Sequence, residues 1–549
     1  MTFIIQLIFF IFLSFTSLIF FAGLGTLLNF KNKNDFILDI FFGFIILSLI
    51  ITTIHFFFKI NLFLACLIIL FGFYRSFKKY YFSIRGLNKD YFYLLIFVAL
   101  IPIYISQKYH EDFGYYHLPY ILNFVHDKII FGLGNTNNGF VHNSIWLNTI
   151  SLFYINENYD FVNLPIFLIY FIFIIFSLRQ ILSQKNFSSS NFFLIICIFY
   201  LLLKFTRISE FGNDIPSLIF SILAIFYFFK YEEQSDLDEK KFLFFSHVVF
   251  SVFSILIKFS SIPILLLTIF IFSRDFRNIY RELFNLKYLF IVTLSIIFFL
   301  QQFIYTGCVF FPSKITCINV PWFSDTFLTL TNNLELTNKS YSVAREFFSK
   351  EEYLKNFNWF PFWLKRNYME IIEHIFTIIF PIIALLFASR ETKAFKTFKF
   401  KSINFFIFFI IVGFCFWFTF SPVYRFGIIY FLCVLFIFTF RLFKNRFFSK
   451  NTFIVFFIIC LTFNFVKNLK RIYEKDELYF GVSKIKNEYK IYDQQFDNDI
   501  LVVRPDIDSN AKKGNGWQGR LCWDIKFLCS YNRININLRN NYLFISREK

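Results

Sequence analysis

Ionisable side chains gather directly after an apolar segment that runs from Leu94 to Ile105. This polar stretch contains His110, Glu111, Asp112, Tyr116 and His117. A carboxylate beside a membrane can act as a general base, hold a divalent cation, or remain a solvated loop charge. Because the two carboxylates follow the apolar segment at once, the chemical and the solvated interpretations both stay open. Asp112 is the first candidate for chemistry.

A second polar stretch, from Lys204 to Pro216, joins two further apolar segments. Its charged side chains are those of Lys204, Arg207, Glu210 and Asp214. Such a short turn can pair its own charges in solvent. Alternatively, Arg207 receives a phosphate group while Glu210 or Asp214 assists a hydroxyl group or a metal ion.

Two isolated cations stand at the ends of other apolar segments. Lys258 follows one such segment, and Arg425 lies between two of them in the sequence Ser-Pro-Val-Tyr-Arg-Phe-Gly. Long cationic side chains in these positions often reach toward lipid headgroups. Together with Arg207, they could instead form a pocket in which Arg and Lys side chains grip an anionic leaving group.

The composition indicates that the apolar segments around these residues lie in a membrane. Hydrophobic residues make up 57% of the 549-residue chain, which contains 96 Phe, and charged residues make up 17%. The mean hydropathy is +0.58. This apolar surface exceeds what a soluble protein of the same size can bury, so the composition predicts an integral membrane protein.

Long, unbroken runs of Phe, Ile and Leu favour helices over a barrel, whose strands would be alternating segments of about 10 residues. We predict an all-α polytopic membrane protein of about fourteen transmembrane helices, with outer-face loops and a small mixed α/β C-terminal tail domain. The first segment is expected to be a retained span, not a signal peptide. The predicted spans lie near residues 3–28, 36–58, 60–74, 91–107, 161–178, 192–205, 215–230, 242–257, 260–273, 288–305, 370–389, 403–420, 426–441 and 451–466.

The basic residues of short loops orient the predicted spans. They concentrate on one side, in the turns at 75–89, 274–287, 393–401 and 441–450. The positive-inside rule makes this side the cytoplasm, so the loop of Asp112 and the C-terminal tail are expected on the extracytoplasmic side. The net charge of +19 is then a consequence of topology. No nucleic-acid partner is expected, because charges scattered over turns form no basic patch.

The cysteines test this orientation independently. Five of them fall within predicted spans, where small buried hydrophobic side chains are expected: Cys66, Cys197, Cys415, Cys433 and Cys460. The other four form two close pairs on the predicted outside, Cys308 with Cys317 and Cys522 with Cys529. Because disulfide bonds persist outside the cytosol, we predict both bonds. Zinc binding by the four together is the alternative, although their spacing lacks the CxxC pattern.

The predicted organisation has three parts. N-terminal transmembrane helices occupy residues 1–90, a transmembrane core with outer loops at 108–160 and 306–369 occupies 91–466, and an extracytoplasmic tail domain occupies 467–549.

Two of these parts contain further local signals. In the first outer loop, an interfacial helix with its apolar face toward the membrane is predicted by the helical spacing of Leu118, Ile121, Leu122 and Val125. In the tail, alternating polarity predicts short strands at 500–504 and 534–545, with a turn at 540–541.

A first large outer loop with an acidic residue just beyond a span, followed by an interfacial helix, resembles the GT-C superfamily of polyprenyl-phosphate-sugar-dependent glycosyltransferases. The string Asp112-Phe-Gly-Tyr-Tyr116-His117-Leu-Pro119 resembles the Asp-x-x-x-Tyr-His-x-Pro of many bacterial members from surface-polysaccharide loci. Three further segments of this chain are also similar to elements of those proteins. They are Glu210-Phe-Gly-Asn-Asp214-Ile-Pro216, Thr306-Gly307-Cys-Val-Phe-Phe-Pro312 and Cys522-Trp-Asp-Ile-Lys-Phe-Leu-Cys529. The resemblance covers about residues 90–530, with three extra spans before the catalytic-loop span.

The resemblance implies sugar transfer at the extracytoplasmic face of a bacterial cytoplasmic (inner) membrane. Asp112, or its neighbour Glu111, would act as general base, or Asp112 would hold a divalent cation such as Mg²⁺ or Mn²⁺. The donor would be a polyprenyl-phosphate-linked sugar, the acceptor a glycan, lipid or protein, and membrane lipid the surrounding partner. The leaving phosphate would be stabilised by Arg207, Lys258 and Arg425, and the supporting residues would be His110, Tyr116, His117, Glu210 and Asp214.

Other functions remain open from the sequence. A lipid-linked oligosaccharide flippase or another transporter would require ionisable residues at mid-membrane depth, whereas this chain keeps nearly all its charges at span ends. A polysaccharide polymerase would use the same kind of donor, and composition does not separate it from a single-sugar transferase. A membrane scaffold without catalysis is the remaining alternative.

Overall fold

The computed structural model describes residues 3–29, 35–80, 91–106, 112–154, 160–183, 188–205, 208, 212–391, 402–443, 446–447, 449–474, 491–497, 500–505, 521–523, 525 and 528–548.

Helices dominate these residues. The N-terminal helices are α1 (Phe3–Gly25), α2 (Phe36–His55), α3 (Leu62–Tyr80) and α4 (Tyr91–Ile105). The first outer loop contains a π-helical turn (Phe113–His117, the π turn), α5 (Leu118–His126) and α6 (Ile145–Ile150). The central helices are α7 (Leu164–Ser183), α8 (Ser189–Lys204), α9 (Asp214–Glu233), α10 (Leu237–Ile257), α11 (Leu265–Arg274), α12 (Phe276–Ile279) and α13 (Leu286–Thr306). The remaining helices are α14 (Thr326–Asn338), α15 (Lys350–Leu354), α16 (Phe360–Ala388), α17 (Ile403–Phe420), α18 (Tyr424–Leu442) and α19 (Lys450–Tyr473).

Ten of the described helices are long and apolar enough to cross a membrane, namely α1, α2, α7, α9, α10, α13, α16, α17, α18 and α19. A pair bent by 93°, Phe259–Arg274 with Phe276–Phe284, would form an eleventh span. Helices α4 and α8 are apolar but shorter. The predicted class, a polytopic helical membrane protein, is therefore confirmed.

The first three helices pack at backbone distance. A Cβ atom built at Gly43 of α2 would lie 1.9 Å from the carbonyl oxygen of Phe21 in α1, and one at Gly23 of α1 would lie 1.8 Å from that of Gly72 in α3. Small residues let helix backbones approach in this way. At one end of this packing, buried Asp39 accepts hydrogen bonds that link α2 to the end of α3.

Buried polar side chains attach the first outer loop to the helix bundle. Asn148 of α6 donates to Oγ1 of Thr52 in α2 at 2.8 Å and to Oε1 of Gln301 in α13 at 2.9 Å. Asn143 donates to the same Gln301 oxygen at 2.9 Å. Ser144 donates to the carbonyl of Ile257, the last residue of α10, at 2.9 Å. Because a buried polar group without a hydrogen bond is costly, the network fixes the loop on α2, α10 and α13.

Helix α5 forms where the apolar spacing predicts it. Leu118, Ile121 and Leu122 are buried inside the protein, and the ring of Phe124 stacks on that of His55 of α2 with centroids 3.6 Å apart. The apolar face of α5 therefore packs on protein and not on lipid, in contrast to the prediction.

Both predicted disulfide bonds are present, Cys308–Cys317 and Cys522–Cys529. Three of the five span cysteines are buried as predicted, but Cys66 and Cys415 are exposed on the outward surfaces of α3 and α17. The side chains of Cys66 and Cys415 therefore face away from the bundle, whereas burial was predicted for them.

The described strands are short and lie mainly in the C-terminal part. They are β1 (Arg390–Glu391), β2 (Arg446–Phe447), β3 (Ile491–Asp497), β4 (Ile500–Pro505), β5 (Leu528–Cys529), β6 (Ile534–Arg539) and β7 (Tyr542–Arg547). Strands β1 and β2 pair antiparallel, β4 lies between antiparallel β3 and parallel β5, and β6 and β7 form a hairpin. Its turn residues Asn540 and Asn541 both have positive φ, as a two-residue hairpin turn requires. The predicted tail strands and their turn are confirmed.

The close packing of α1 and α2 predicts that Gly43→Ala destabilises the protein. The added methyl group would meet the Phe21 backbone, and overpacking of this kind costs roughly 1–3 kcal/mol. We expect a lower melting temperature for the purified protein in detergent. Ile19→Ala, at an outward position of α1 that is 40% exposed, serves as the control and should melt like the wild type. Equal melting of Gly43→Ala and wild type would contradict this packing.

Candidate functional site

Four charged side chains from separate elements meet at one end of the bundle. Asp112 precedes the π turn, Asp214 begins α9, Lys258 follows α10, and Arg425 lies in the first turn of α18. Nζ of Lys258 contacts Oδ1 of Asp214, Nε of Arg425 lies 3.3 Å from Oδ2 of Asp214, and Nη2 of Arg425 lies 3.8 Å from Oδ2 of Asp112. We call these residues the charge cluster.

Lys258 is the most desolvated cation of the charge cluster. Its side chain is 19% exposed, and Nζ lies 3.3 Å from the centroid of the Phe426 ring. Burial lowers the pKa of Lys258 to about 8, with a further lowering by Arg425, against the raising effect of Asp214 and Asp112. Near neutral pH, Lys258 is therefore still a cation, but one that loses its proton easily.

The backbone that leads into Arg425 is held by two indole groups. Trp363 of α16 donates to the carbonyl of Pro422 at 2.7 Å, and Trp417 of α17 donates to that of Val423 at 2.7 Å. Within the described part of the chain, the guanidinium makes ion pairs but no hydrogen bond, and its Nε is buried without an acceptor in bonding geometry. Arg425 therefore keeps donor capacity for an anion such as a phosphate group.

Asp214 is placed by the start of α9. A carboxylate is favoured in the first turn of a helix by the helix dipole. The preceding Gly212 has φ +36°, and a Cβ atom there would lie 2.2 Å from Cε1 of His117. The turn before Asp214 therefore packs directly on the imidazole at the end of the π turn, which brings the two predicted polar stretches together.

Tyr116 of the π turn also lies beside the charge cluster. Burial raises the pKa of Tyr116 well above its usual range, with a further contribution from Asp112 and then Asp214, while Arg425 opposes them. Its ring packs on Gly139, where a Cβ atom would approach within 2.5 Å. Tyr116 therefore remains a neutral phenol next to the carboxylates.

The C-terminal segment covers the π turn. The backbone N–H of Trp523 donates to the carbonyl of Gly114 at 3.0 Å, and its indole lies so close that a Cβ atom at Gly114 would be 2.4 Å from it. The ring of Tyr531 lies 5.1 Å from that of Tyr115. The Cys522–Cys529 disulfide closes the segment that contains Trp523. Sequence reasoning missed Trp523, although its position between paired cysteines is a signal for a fixed conformation.

Several predicted site residues cannot be placed. His110, Glu111, Arg207 and Glu210 lie outside the described residues.

Other charged and imidazole side chains lie elsewhere. Lys204 pairs with Glu373 of α16 at 2.6 Å, while Asp214 pairs with Lys258 and Arg425, so these two members of the second polar stretch do not pair with each other. His142 packs on Phe311 with centroids 5.2 Å apart, and burial lowers its pKa to about 4. It is a neutral packed side chain outside the charge cluster.

The described residues contain no group of three or more His, Cys, Asp or Glu side chains that could hold a metal ion. The carboxylates of Asp112 and Asp214 are instead joined through Arg425. With the four outer cysteines in two disulfide bonds, their joint zinc site is excluded.

A family model described as "Domain of unknown function (DUF8201)" matches residues 1–432, a range that contains the whole charge cluster. No curated protein and no solved structure matches the chain.

The lowered pKa of Lys258 predicts pH-dependent anion binding. We expect the affinity for a short prenyl phosphate to fall as the pH rises through about 8, because the ammonium group loses its proton. The probe contributes little to this change, since its second phosphate pKa is about 6. Equilibrium binding to the full-length protein across this range is the measurement. Lys258→Arg should remove the decline, because its guanidinium stays protonated to about pH 12. A wild-type affinity that is constant across pH 8 would contradict this assignment.

The contact of Trp523 with Gly114 predicts that Trp523→Ala loosens the cover over the π turn. Removing a buried Trp ring typically costs about 3–5 kcal/mol. We expect faster cleavage of the segment 521–548 in limited proteolysis of the purified protein. Tyr473→Phe, at a position that is 91% exposed at the end of α19, is the aromatic control. Protease resistance equal to that of the wild type would show that the indole does not hold this segment.

Proposed function

The chain belongs to the family described as a domain of unknown function (DUF8201), and we propose that it is a membrane glycosyltransferase of the GT-C kind. It moves a sugar from a polyprenyl-phosphate donor to a cell-envelope glycan, lipid or protein acceptor. The observation that carries the proposal is the convergence of Asp112 with Arg425 and Lys258 at one end of an apolar bundle. A carboxylate beside two cations is the minimal set for deprotonating a hydroxyl group and stabilising a departing phosphate.

The proposed reaction uses each member of the charge cluster. The carboxylate of Asp112 accepts the proton of the acceptor hydroxyl group, whose oxygen forms a bond to the anomeric carbon of the donor sugar. The bond between that carbon and the phosphate oxygen breaks, and its electron pair stays on the lipid phosphate. Arg425 and Lys258 stabilise this developing charge, with Arg425 supplying forked N–H donors and Lys258 a point charge.

The arrangement of the helices supports a reaction at the membrane surface. Asp214 begins α9, Lys258 directly follows α10 and Arg425 lies in the first turn of α18, so the charge cluster marks one end of these helices. Arg441 lies in the last turn of α18, at the opposite end of that helix from Arg425, and Lys79 and Arg274 lie in the last turns of α3 and α11. By the positive-inside rule, we propose that the charge cluster faces the outside of a bacterial inner membrane. About fourteen spans result if α3, α4, α8 and the bent pair also cross.

Transfer by the purified full-length protein in nanodiscs tests the proposal. A panel of polyprenyl-phosphate sugars serves as donors, and released polyprenyl phosphate is quantified together with acceptor product. Because general acid–base groups typically contribute about 10²–10⁴-fold, Asp112→Asn should reduce the rate by at least about 100-fold. Glu111→Gln tests the neighbouring carboxylate. Asp238→Asn, which alters a carboxylate that is 82% exposed and paired with Lys241 at the start of α10, should leave transfer unchanged.

Two results would replace this function, and a third would reassign its base. Wild-type protein that moves lipid-linked glycans across a bilayer without releasing polyprenyl phosphate would be a flippase. Products of many added units would indicate a polymerase. Full activity of a folded Asp112→Asn variant would remove Asp112 as the base. The predicted Mg²⁺ or Mn²⁺ is tested in the same assay, since a chelator would abolish transfer only if a divalent cation takes part.

A further inference from the structure

Arg425 is shared unequally by two carboxylates. Its Nε lies 3.3 Å from Asp214, whose side chain is 9% exposed and also contacts Lys258. Its Nη2 lies 3.8 Å from Asp112, whose side chain is 31% exposed. The contact with Asp214 is thus short, buried and supported by a second cation, whereas the contact with Asp112 is long and half-open to solvent. Ion pairs of the second kind contribute little and are readily replaced.

The backbone that leads into Arg425 is fixed, so an exchange of partners needs only a movement of the Arg425 side chain. Indole N–H groups of Trp363 and Trp417 hold the two carbonyls that precede α18. Tyr430 of α18 donates to the carbonyl of Ser260, just after Lys258, at 2.7 Å. This bond ties α18 to the turn that carries the second cation.

The guanidinium lies where an anion is favoured. It projects from the first turn of α18, where a helix dipole attracts anions and disfavours cations. Among the residues that the structure describes, it donates no hydrogen bond. A phosphate group would accept two parallel N–H bonds from the guanidinium, which is a stronger interaction than the long contact with Asp112.

We propose that Arg425 exchanges Asp112 for the phosphate group of the incoming donor, while Asp214 is the positioning residue that keeps Arg425 and Lys258 in place. This exchange rests on the proposed function and adds an order of events to it. Before the donor binds, Asp112 is occupied by Arg425. After the phosphate takes the guanidinium, Arg425 no longer competes with the acceptor hydroxyl group for the Asp112 carboxylate, so deprotonation follows donor binding.

The two carboxylates should therefore affect donor affinity in opposite directions. The measurement is equilibrium binding of farnesyl phosphate to the purified full-length protein in detergent, with farnesol as the phosphate-free probe. Asp112→Asn should bind farnesyl phosphate roughly threefold more tightly, since Arg425 no longer has to leave a carboxylate. Asp214→Asn should bind it at least about tenfold more weakly, because both cations lose their buried partner. Farnesol binding should be the same in all variants.

A double variant isolates the exchange from general electrostatics. In an Arg425→Gln background, Asp112→Asn should produce a smaller change than in the wild-type background, because only its electrostatic effect on Lys258 and on the phosphate group remains. Asp214→Glu keeps the charge and should restore most of the affinity that Asp214→Asn loses, which separates positioning from a folding defect. Asp238→Asn is the control for removing a distant carboxylate and should bind like the wild type.

The results distinguish this exchange from the function on which it rests. Unchanged or weaker binding by Asp112→Asn overturns the exchange, even where the wild type transfers sugar. Tighter binding by Asp214→Asn overturns the positioning role. The predicted opposite changes in a protein that transfers no sugar would support the exchange and overturn only the transferase. A wild type that does not bind farnesyl phosphate more tightly than farnesol would overturn both.

Discussion

Two partly buried cations at the end of an apolar bundle are the constraint on which the site depends. Desolvation of an ammonium or guanidinium group costs several kcal/mol unless a nearby anion compensates for it. Asp214 supplies that anion to both Lys258 and Arg425. The first turn of α9, where Asp214 lies, is a position at which the helix dipole favours a negative charge. Because both cations share this carboxylate, Asp214 links the ends of α9, α10 and α18.

The outer segments then place Asp112 against this preformed centre. Asn143, Asn148 and Gln301 fix the first outer loop to α2 and α13, and Ser144 ties it to the end of α10 beside Lys258. From the other side, the C-terminal segment binds the same loop. Trp523 bonds to Gly114, and Asn135 donates to the carbonyl of Ile545 at 2.9 Å. The loop is held between the bundle and the tail, so the position of Asp112 depends on residues from both ends of the chain.

Local signals in the sequence predict most of the fold but only part of the site. Apolar length predicts the long helices, close cysteine spacing predicts the disulfide bonds, and alternation predicts β4 and the β6–β7 hairpin, because each signal lies within a short segment. The ion pairs of Asp214 depend on how distant helices pack, and nothing within the second polar stretch shows that its partner is Arg425. Likewise, nothing near Lys204 in the sequence shows that its partner is Glu373 of α16. Helix α5 was predicted as a helix, but its burial depends on the fold around it.

A second buried carboxylate shows why pairing alone does not identify a functional site. Asp39, toward the other end of the bundle, accepts hydrogen bonds from Asn29 at 2.6 Å, from Lys79 at 2.6 Å and from the hydroxyl group of Tyr80. These donors satisfy the carboxylate, and the cluster joins α2 to α3 as a structural element. In the charge cluster, the same residue types leave the guanidinium of Arg425 without a hydrogen bond in the described part of the protein. Its Nε atom is buried without a bonded acceptor, which is costly, and a bound anion would reduce that cost. The two clusters therefore differ in whether hydrogen-bond donors are left unused. The charge cluster, where the helix ends, the first outer loop and the tail converge, has such donors on Arg425.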